Sequence, residues 1–195
     1  RLQERFAKTI RAAAPRHTII ATGDEWGSVD GLVRLRPLPD TNVIYTFHFY
    51  DPHTFTHQGA SWGAANWKNL REVPYPSSPE LVKRSLEATT NEQGKREVRW
   101  YGEERWNAGK IEARIGKAAA WAKQHKTIVW CGEFGAYREK TPAASRAAWL
   151  GDLTSAMNKA GIGWCMWDYA GGFALVSGAP GARDVNEDTA KGIGL

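Results

Sequence analysis

At 195 residues with a formal net charge of +5, the chain is long enough for one buried core and short for two, so we expect one domain spanning residues 1–195. Its basic residues alternate with acidic ones, as in "REVRWYGEERWNAGKIEAR", which argues against a nucleic-acid partner. No apolar run approaches the roughly 18 residues that a membrane helix needs. No metal site is expected, because Cys131 and Cys165 have no partner at metal-ligand spacing.

The order of the predicted elements is strand and helix in alternation. The opening segment, "RLQERFAKTIRAAAP", has the pattern of an amphipathic helix whose natural start lies upstream. Strands are predicted at "HTIIATG", "NVIYTFHFYD", "TIVWCGEF" and "IGWCMWDYA". Helices are predicted from about Ser78, from about Asn107 to His125, and over "PAASRAAWLGDLTSAMNKAG". A long irregular stretch, "PHTFTHQGASWGAANWKNLREVPYPSS", and a Gly-rich tail, "GGFALVSGAPGARDVNEDTAKGIGL", complete the chain.

This alternation predicts a parallel sheet covered by helices, with strands that are apolar on both faces. No Gly-rich phosphate loop follows any of the strands. Reactive side chains follow them instead: Asp24, Glu25, His48, Tyr50, Glu133, Trp167 and Asp168. Functional side chains at the carboxyl ends of successive strands are typical of a TIM barrel. The predicted fold class is therefore α/β, the parallel-strand half of a TIM (β/α)8 barrel.

Tryptophan is the unusual item in the composition, with ten residues. Trp26, Trp62 and Trp67 lie in predicted loops, where a large flat ring with one polar atom is often part of a binding surface. Cys131 and Cys165 precede Glu133 and Trp167 by two positions, so we expect both thiols to point to the same interior as small buried hydrophobes.

Three motifs carry a family resemblance. In this order, "TFHFYDPHTFTHQGASW", "VWCGEFGAYR" and "GWCMWDYAGGFALV" resemble the last three strands and loops of glycoside hydrolase family 5, the cellulase family of retaining barrel enzymes. The resemblance runs from about His17 to the terminal "GIGL", and it implies that the four strands are roughly strands 5 to 8 of the barrel. It implies an endo-β-1,4-glucanase that acts on a β-glucan without a cofactor and is secreted or periplasmic. Cellulose, mixed-linkage glucan and mannan all stay open as the polymer.

The resemblance also implies roles for single residues. Glu133 becomes the nucleophile at the end of the seventh barrel strand, with His48 and Tyr50 beside it. The implied or expected substrate contacts are Trp167, Trp26, His57, Gln58, Trp62 and Asp168. Other interpretations stay open for three of these residues: Glu133 as a helix-capping carboxylate, and His48 and Trp167 as core packing.

Retaining hydrolysis needs a second carboxyl, about 5 to 5.5 Å from the first. In the family that carboxyl belongs to an N-E-P motif after the fourth strand, and the motif does not occur in this sequence. The pairs Asn91-Glu92 and Asn186-Glu187 do not end an apolar strand, and we interpret the first as a charged turn and the second as tail, both solvated surface.

Several alternatives follow. The chain is inactive without an N-terminal half, or it closes a barrel as a homodimer or with a separate half-barrel, or an acid of its own substitutes. Glu25 is the best substitute acid, with Asp24 and Asp168 behind it. A fragment that binds glucan without cleaving it, and an unrelated parallel α/β protein, are the competing functions. Because a half barrel has two open sheet edges and an apolar inner face, we expect an assembly rather than a simple monomer.

Overall fold

The computed structural model describes residues 2–195 and contains a four-stranded sheet in which all neighbouring strands are parallel. The strands lie in chain order: β1 (Ile19–Thr22), β2 (Val43–Phe49), β3 (Val129–Phe134) and β4 (Gly163–Trp164). The predicted fold class, half of a TIM barrel, is confirmed. The first three strands coincide with the predicted apolar runs, whereas β4 is only two residues long.

The helices are α1 (Leu2–Ala13), α2 (Val29–Val33), α3 (His53–Thr56), α4 (Lys83–Ala88), α5 (Glu92–Glu104), α6 (Ala108–His125), α7 (Ala143–Lys159) and α8 (Glu187–Gly192). Single 3₁₀ turns cover Glu25–Gly27 and Trp67–Asn69. None of the helices within residues 2–195 is long and apolar enough to cross a membrane. The predicted helix from about Asn107 is confirmed: the Asn107 side chain caps α6 by accepting from Lys110 N at 3.2 Å.

Two parts of the predicted element order are corrected. The helix expected from about Ser78 begins only at Lys83, and a further helix, α5, follows it. Asn91 therefore does not lie in a charged turn; its side chain caps α5 by accepting from Gly94 N at 2.7 Å. The tail is also ordered, because a short antiparallel pair, β5 (Val176–Ser177) with β6 (Asp184–Val185), precedes α8.

The second Asn-Glu pair is likewise a helix start. Asn186 Oδ1 accepts from Thr189 N at 2.9 Å and from Arg146 Nη2 at 2.6 Å, so it caps α8 and ties it to α7. Asn186 is half-buried, while Glu187 beside it is exposed, as predicted. In both Asn-Glu pairs the Asn side chain caps the helix that follows. This capping explains the place of each pair in the chain better than solvent exposure does.

The two faces of the sheet differ in burial. Along β1 and β2, buried residues alternate with exposed or half-buried ones, and the buried set, which includes Tyr45 and Phe47, packs into the main core. The opposite, inner face carries Ile20, which is 55% exposed, and the polar side chains of Thr46 and His48. The inner face is therefore mixed: Ile20 fits the expectation of strands that are apolar on both faces, whereas Thr46 and His48 do not.

Candidate active site

Glu133 lies between two side chains from the neighbouring strand. The Tyr50 hydroxyl donates a hydrogen bond to Glu133 Oε2 at 3.0 Å, and His48 Nδ1 lies 3.5 Å from the same oxygen. The His48 and Glu133 side chains are 30% and 31% exposed, so the group is open to a ligand. Carboxyl ends of adjacent parallel strands meet at one edge of the sheet, which is why these residues converge.

A bulge in β3 gives Glu133 this orientation. The register passes from Phe47 opposite Cys131 directly to His48 opposite Glu133, so Gly132 is an extra residue in β3. If Gly132 instead took a regular position opposite His48, strict alternation would turn Glu133 toward the helices, as it does Cys131. The bulge requires glycine, since a Cβ there would lie 2.5 Å from Thr46 Oγ1.

Tyr50 is held as a hydrogen-bond donor. Its main-chain oxygen accepts from Thr56 Oγ1 at 2.6 Å, and its ring packs edge-on against His57 and Phe173, with centroids 5.3 Å and 5.8 Å away. Burial, together with the nearby Glu133 carboxylate, raises the pKa of Tyr50 well above its ordinary value. The phenol therefore stays protonated and can keep donating to the carboxylate.

His57 is a buried, neutral part of the wall behind Tyr50. It is 8% exposed, and its Nδ1 lies 3.0 Å from Thr56 Oγ1. Its ring contacts those of His53 and Trp67, with centroids 5.1 Å and 4.6 Å away. Burial lowers the pKa of His57 from 6.5 to about 3, and neighbouring His53 acts in the same direction. This arrangement favours a supporting position over direct contact with a large ligand.

An aromatic group lies next to Tyr50, and sequence reasoning missed its centre. Phe173 contacts Tyr50, His57, Tyr137 and Trp62, with ring centroids between 5.6 Å and 6.3 Å apart. Trp62 also packs edge-on against Tyr137 at 4.8 Å and is 46% exposed. Phe173 follows two glycines in "GGFALV", a segment assigned to the tail. Its one signal was an aromatic residue next to the glycines of the last motif.

Trp167 and Asp168 lie beside this group, just beyond β4. Trp167 N donates to Phe134 O at 2.9 Å, and the Trp167 side chain is 47% exposed. Asp168, joined to Trp167 by a cis peptide bond, accepts from Gly171 N at 3.0 Å. Its charge is close enough to contribute to the raised pKa of Tyr50.

Four predicted residues lie apart from this constellation: Glu25, Asp24, Trp26 and Gln58. Glu25 Oε1 forms an ion pair with Arg34 at 2.7 Å, and Asp24 shares that guanidinium at 2.8 Å. Trp26 is 95% exposed, and its ring packs against no other ring within residues 2–195. Gln58 is fully buried, and its amide bonds the main chain of Phe55 and Val73, so it holds the loop together beneath the surface.

The two cysteines do not point to one interior, which corrects the prediction. Cys131 is buried on the helix side of the sheet, and Cys165 is exposed; both are free thiols. We expected Cys131 and Glu133, two positions apart, to point the same way. They do not, because the bulge at Gly132 interrupts the alternation of β3. Within residues 2–195, no group of three or more His, Cys, Asp or Glu side chains could hold a metal ion.

Comparisons with known proteins agree with this architecture. The sequence profile of cellulase (glycosyl hydrolase family 5) matches residues 1–172. Endoglucanase 3 of Fibrobacter succinogenes is 31% identical over 189 residues, which are 95% of this chain and 28% of the relative. Endoglucanase C of Acetivibrio thermocellus is 27% identical over 169 residues, 87% of this chain and 48% of the relative.

Solved structures show the same relationship. Thermotoga maritima Cel5A in complex with cellobiose superposes with a TM-score of 0.73 at 27% identity, over 98% of this chain and 53% of that one. Cellulose synthase subunit Z of Clostridioides difficile has a TM-score of 0.75 at 23% identity, over 98% of this chain and 54% of that one, and shares the fold. The chain thus spans about half the length, or less, of these proteins, and its sequence and half-barrel fold show that it belongs to glycosyl hydrolase family 5, the cellulase family.

Proposed function

We propose that the chain carries the nucleophile side of a retaining endo-β-1,4-glucanase active site. The observation that supports this most is the hydrogen bond from Tyr50 to Glu133 beside His48, at the carboxyl ends of adjacent parallel strands. Endoglucanase relatives make a β-glucan the expected substrate. Such a polymer is met outside the cell, so we also propose that the protein is secreted or periplasmic.

Glu133 acts as the nucleophile in this proposal. The phenol and His48 both lie against Oε2, whereas Oε1 has no hydrogen-bond partner among the residues described. Oε1 forms a bond to the anomeric carbon as the glycosidic carbon–oxygen bond breaks, and a second carboxyl gives its proton to the departing oxygen. Water activated by that second group then hydrolyses the glycosyl ester and releases Glu133.

We propose that the second carboxyl comes from polypeptide outside these residues. Glu25, the best candidate within the chain, is bound by Arg34 at 2.7 Å, and Ser28 Oγ donates to its other oxygen at 3.2 Å. These two contacts hold the Glu25 carboxylate against residues of its own segment, Ser28 and Arg34, and not beside Glu133. Asp168, though near Tyr50, accepts a hydrogen bond from Gly171 in a turn.

The partner we propose is an N-terminal half-barrel. β1 and β4 are both edge strands of the sheet, and exposed apolar residues lie on β1 and along one side of α1: Ile20, Leu2, Phe6 and Ile10. The matched structures contain about as much polypeptide again as this chain covers. Size-exclusion chromatography with light scattering, with and without the N-terminal part of a family relative, distinguishes this heterodimer from a homodimer and from a monomer.

Two alternatives have specific support. The exposed rings of Trp62 and Trp167 would suit a half-barrel that binds glucan without cleaving it. A β-mannanase is the other, because Thermotoga maritima Cel5A has also been solved with mannotriose, with a TM-score of 0.72 to this chain at 27% identity.

The proposed nucleophile can be tested without the second carboxyl. Dinitrophenyl fluorocellobioside, with fluorine in place of the hydroxyl next to the anomeric carbon, has a leaving group that needs no proton and gives a long-lived glycosyl ester. Intact mass should show one fluorocellobiosyl group per chain, located by peptide mapping at Glu133 and absent from Glu133→Gln. Labelling of another residue, or no labelling even after the N-terminal half is added, would contradict the proposal.

A further inference from the structure

Arg114, in the second turn of α6, connects the segments that follow two neighbouring strands. Its Nη2 and Nε donate to Asp51 Oδ2 at 2.8 Å and 3.2 Å, directly after β2. Its Nη1 donates to Asp30 Oδ2 at 2.7 Å, in the helix α2 that follows β1. One planar guanidinium therefore holds both segments, a geometry that the single ammonium of lysine cannot reproduce.

On the β2 side, this contact fixes the residue next to Tyr50. Asp51 is held at its carboxylate by Arg114 and at its main-chain oxygen by the Trp149 indole, which donates at 3.1 Å. Thr56 Oγ1 donates to the main-chain oxygen of Tyr50 at 2.6 Å. These bonds anchor the main chain from which the Tyr50 phenol reaches Glu133.

On the β1 side, the contact fixes the segment packed against His48. Asp30 belongs to α2, which begins two residues after the turn Glu25–Gly27. Gly27 in that turn is a neighbour of His48: a Cβ on Gly27 would lie 3.6 Å from the imidazole ring, an ordinary van der Waals distance. Arg114 thus holds the residue next to Tyr50 and the helix that follows the turn beside His48.

The charges of this group are half-buried, and with Lys117 beside Asp30 two cations face two carboxylates. The side chains of Arg114, Asp51 and Asp30 are 23%, 27% and 38% exposed. Burial alone would lower the pKa of Arg114, but the two carboxylates raise it; the hydrogen bond from Arg114 lowers the pKa of Asp30. Lys117 reaches only Asp30, at 3.7 Å, so it cannot replace the connection to Asp51.

We infer that Arg114 is a positioning residue for the hydrogen bond between Tyr50 and Glu133, acting through Asp51 and Asp30. The inference rests on the proposed function of Glu133. Loss of the guanidinium should slow formation of the glycosyl ester while leaving sugar affinity unchanged, because Arg114 lies behind the site and not within it.

The test compares Arg114→Gln, Arg114→Lys and a matched control, Arg84→Gln, in the full chain. Arg84 forms a surface pair with Glu72 at 3.5 Å and is 80% exposed, so its loss removes the same charge away from the site. The rate of labelling by dinitrophenyl fluorocellobioside is measured against probe concentration, with the N-terminal half present if wild type requires it. This separates the maximal rate from the half-saturating concentration.

A second readout does not depend on activity. The chain has six tyrosines, and the carbon-13 resonance of the hydroxyl-bearing ring carbon of Tyr50, assigned through Tyr50→Phe, reports its hydrogen bond. We expect Arg114→Gln to move this resonance and to lower the maximal labelling rate about tenfold, within the cost known for small misplacements near reacting atoms. Arg114→Lys should fall between wild type and Arg114→Gln, and Arg84→Gln should match wild type.

The outcomes are distinguishable. An unmoved Tyr50 resonance with a wild-type labelling rate in Arg114→Gln overturns the positioning role. If Arg114→Gln does not fold, by circular dichroism, Arg114→Lys and Asp51→Asn are judged by the same two measurements. If wild type itself is never labelled, the proposed function fails, and the Tyr50 resonance alone then decides whether Arg114 maintains the hydrogen bond.

Discussion

Gly132 and Thr46 face each other across β3 and β2 so closely that a methyl group on Gly132 would lie 2.5 Å from Thr46 Oγ1. This contact lies at the bulge that turns Glu133 toward His48 and Tyr50. The orientation of the proposed nucleophile therefore depends on one glycine. The property that matters at this position is the absence of a Cβ, not the flexibility of the backbone.

Gly132→Ala should destabilise the chain by about 1–3 kcal/mol, since an added methyl group in a packed position forces the strands apart. Gly116→Ala in α6 is the matched control: no atom lies within 4 Å of its added Cβ, and alanine in a helix should stabilise by about 0.5–1 kcal/mol. Urea unfolding followed by circular dichroism measures both. Thr46→Ala, combined with Gly132→Ala, should restore part of the loss, and equal stability of the two single variants would refute the packing argument.

Tyr50→Phe should slow labelling of Glu133 by about 10- to 100-fold, because the phenol fixes the orientation of the attacking carboxylate and small misplacements of reacting groups carry costs of this order. The ring contacts with His57 and Phe173 are retained, so only the hydroxyl is removed. Tyr137→Phe is the control, because the Tyr137 hydroxyl donates to Glu139 at 2.9 Å on the rim. Rates are compared at saturating probe. Equal rates in the two variants would count against the role of the phenol.

His57 should make the fold less stable in mild acid. Its pKa is lowered from 6.5 to about 3 in the fold, so between these values the unfolded chain binds a proton that the folded chain does not. The contribution is fully present above pH 6.5 and is lost as pH falls toward 3, by up to about 1.4 kcal/mol per pH unit. Urea unfolding at a series of pH values gives the free energy of unfolding as a function of pH. This free energy should fall less steeply with decreasing pH for His57→Gln than for wild type.

The control for this pH dependence is His17→Gln, because His17 is exposed and its ring contacts no other ring in the part of the chain that the structure describes. The free energy of unfolding of His17→Gln should depend on pH as that of wild type does. The carboxylates contribute equally to this dependence in all three proteins. A wild-type slope in His57→Gln would mean that the imidazole is not protected from protonation.

The cysteines should react at very different rates. Cys165 is exposed, whereas Cys131 is buried and its pKa is raised by that burial. A thiol reagent followed by mass spectrometry should therefore add one group to the folded chain, at Cys165, and a second only in denaturant. If an N-terminal half covers the inner face, its addition should slow the reaction of Cys165. Two fast additions without denaturant would show that the core around Cys131 is open.

Local patterns predicted much of the scaffold. Apolar, β-branched runs identified β1, β2 and β3, and the spacing of apolar residues identified α6, because these elements bury a regular face. Pro near its start and Gly at its end identified α7. Short polar signals were harder to interpret: Asn91 and Asn186 looked like surface pairs, yet each caps a helix. A cap is recognisable only when the helix that follows is recognised, and α5 and α8 have few apolar residues.

The sequence by itself determined the half-barrel class and which strand ends carry Glu133, His48 and Tyr50, since both follow from alternating local patterns and chain order. Only the tertiary structure decided which way these side chains turn. Three features join residues that are distant in sequence: the Gly132 bulge, the Phe173 ring at the centre of the aromatic group, and the contact of Arg114 with Asp30 and Asp51. Close packing between separate segments fixes them, and no local pattern encodes that packing.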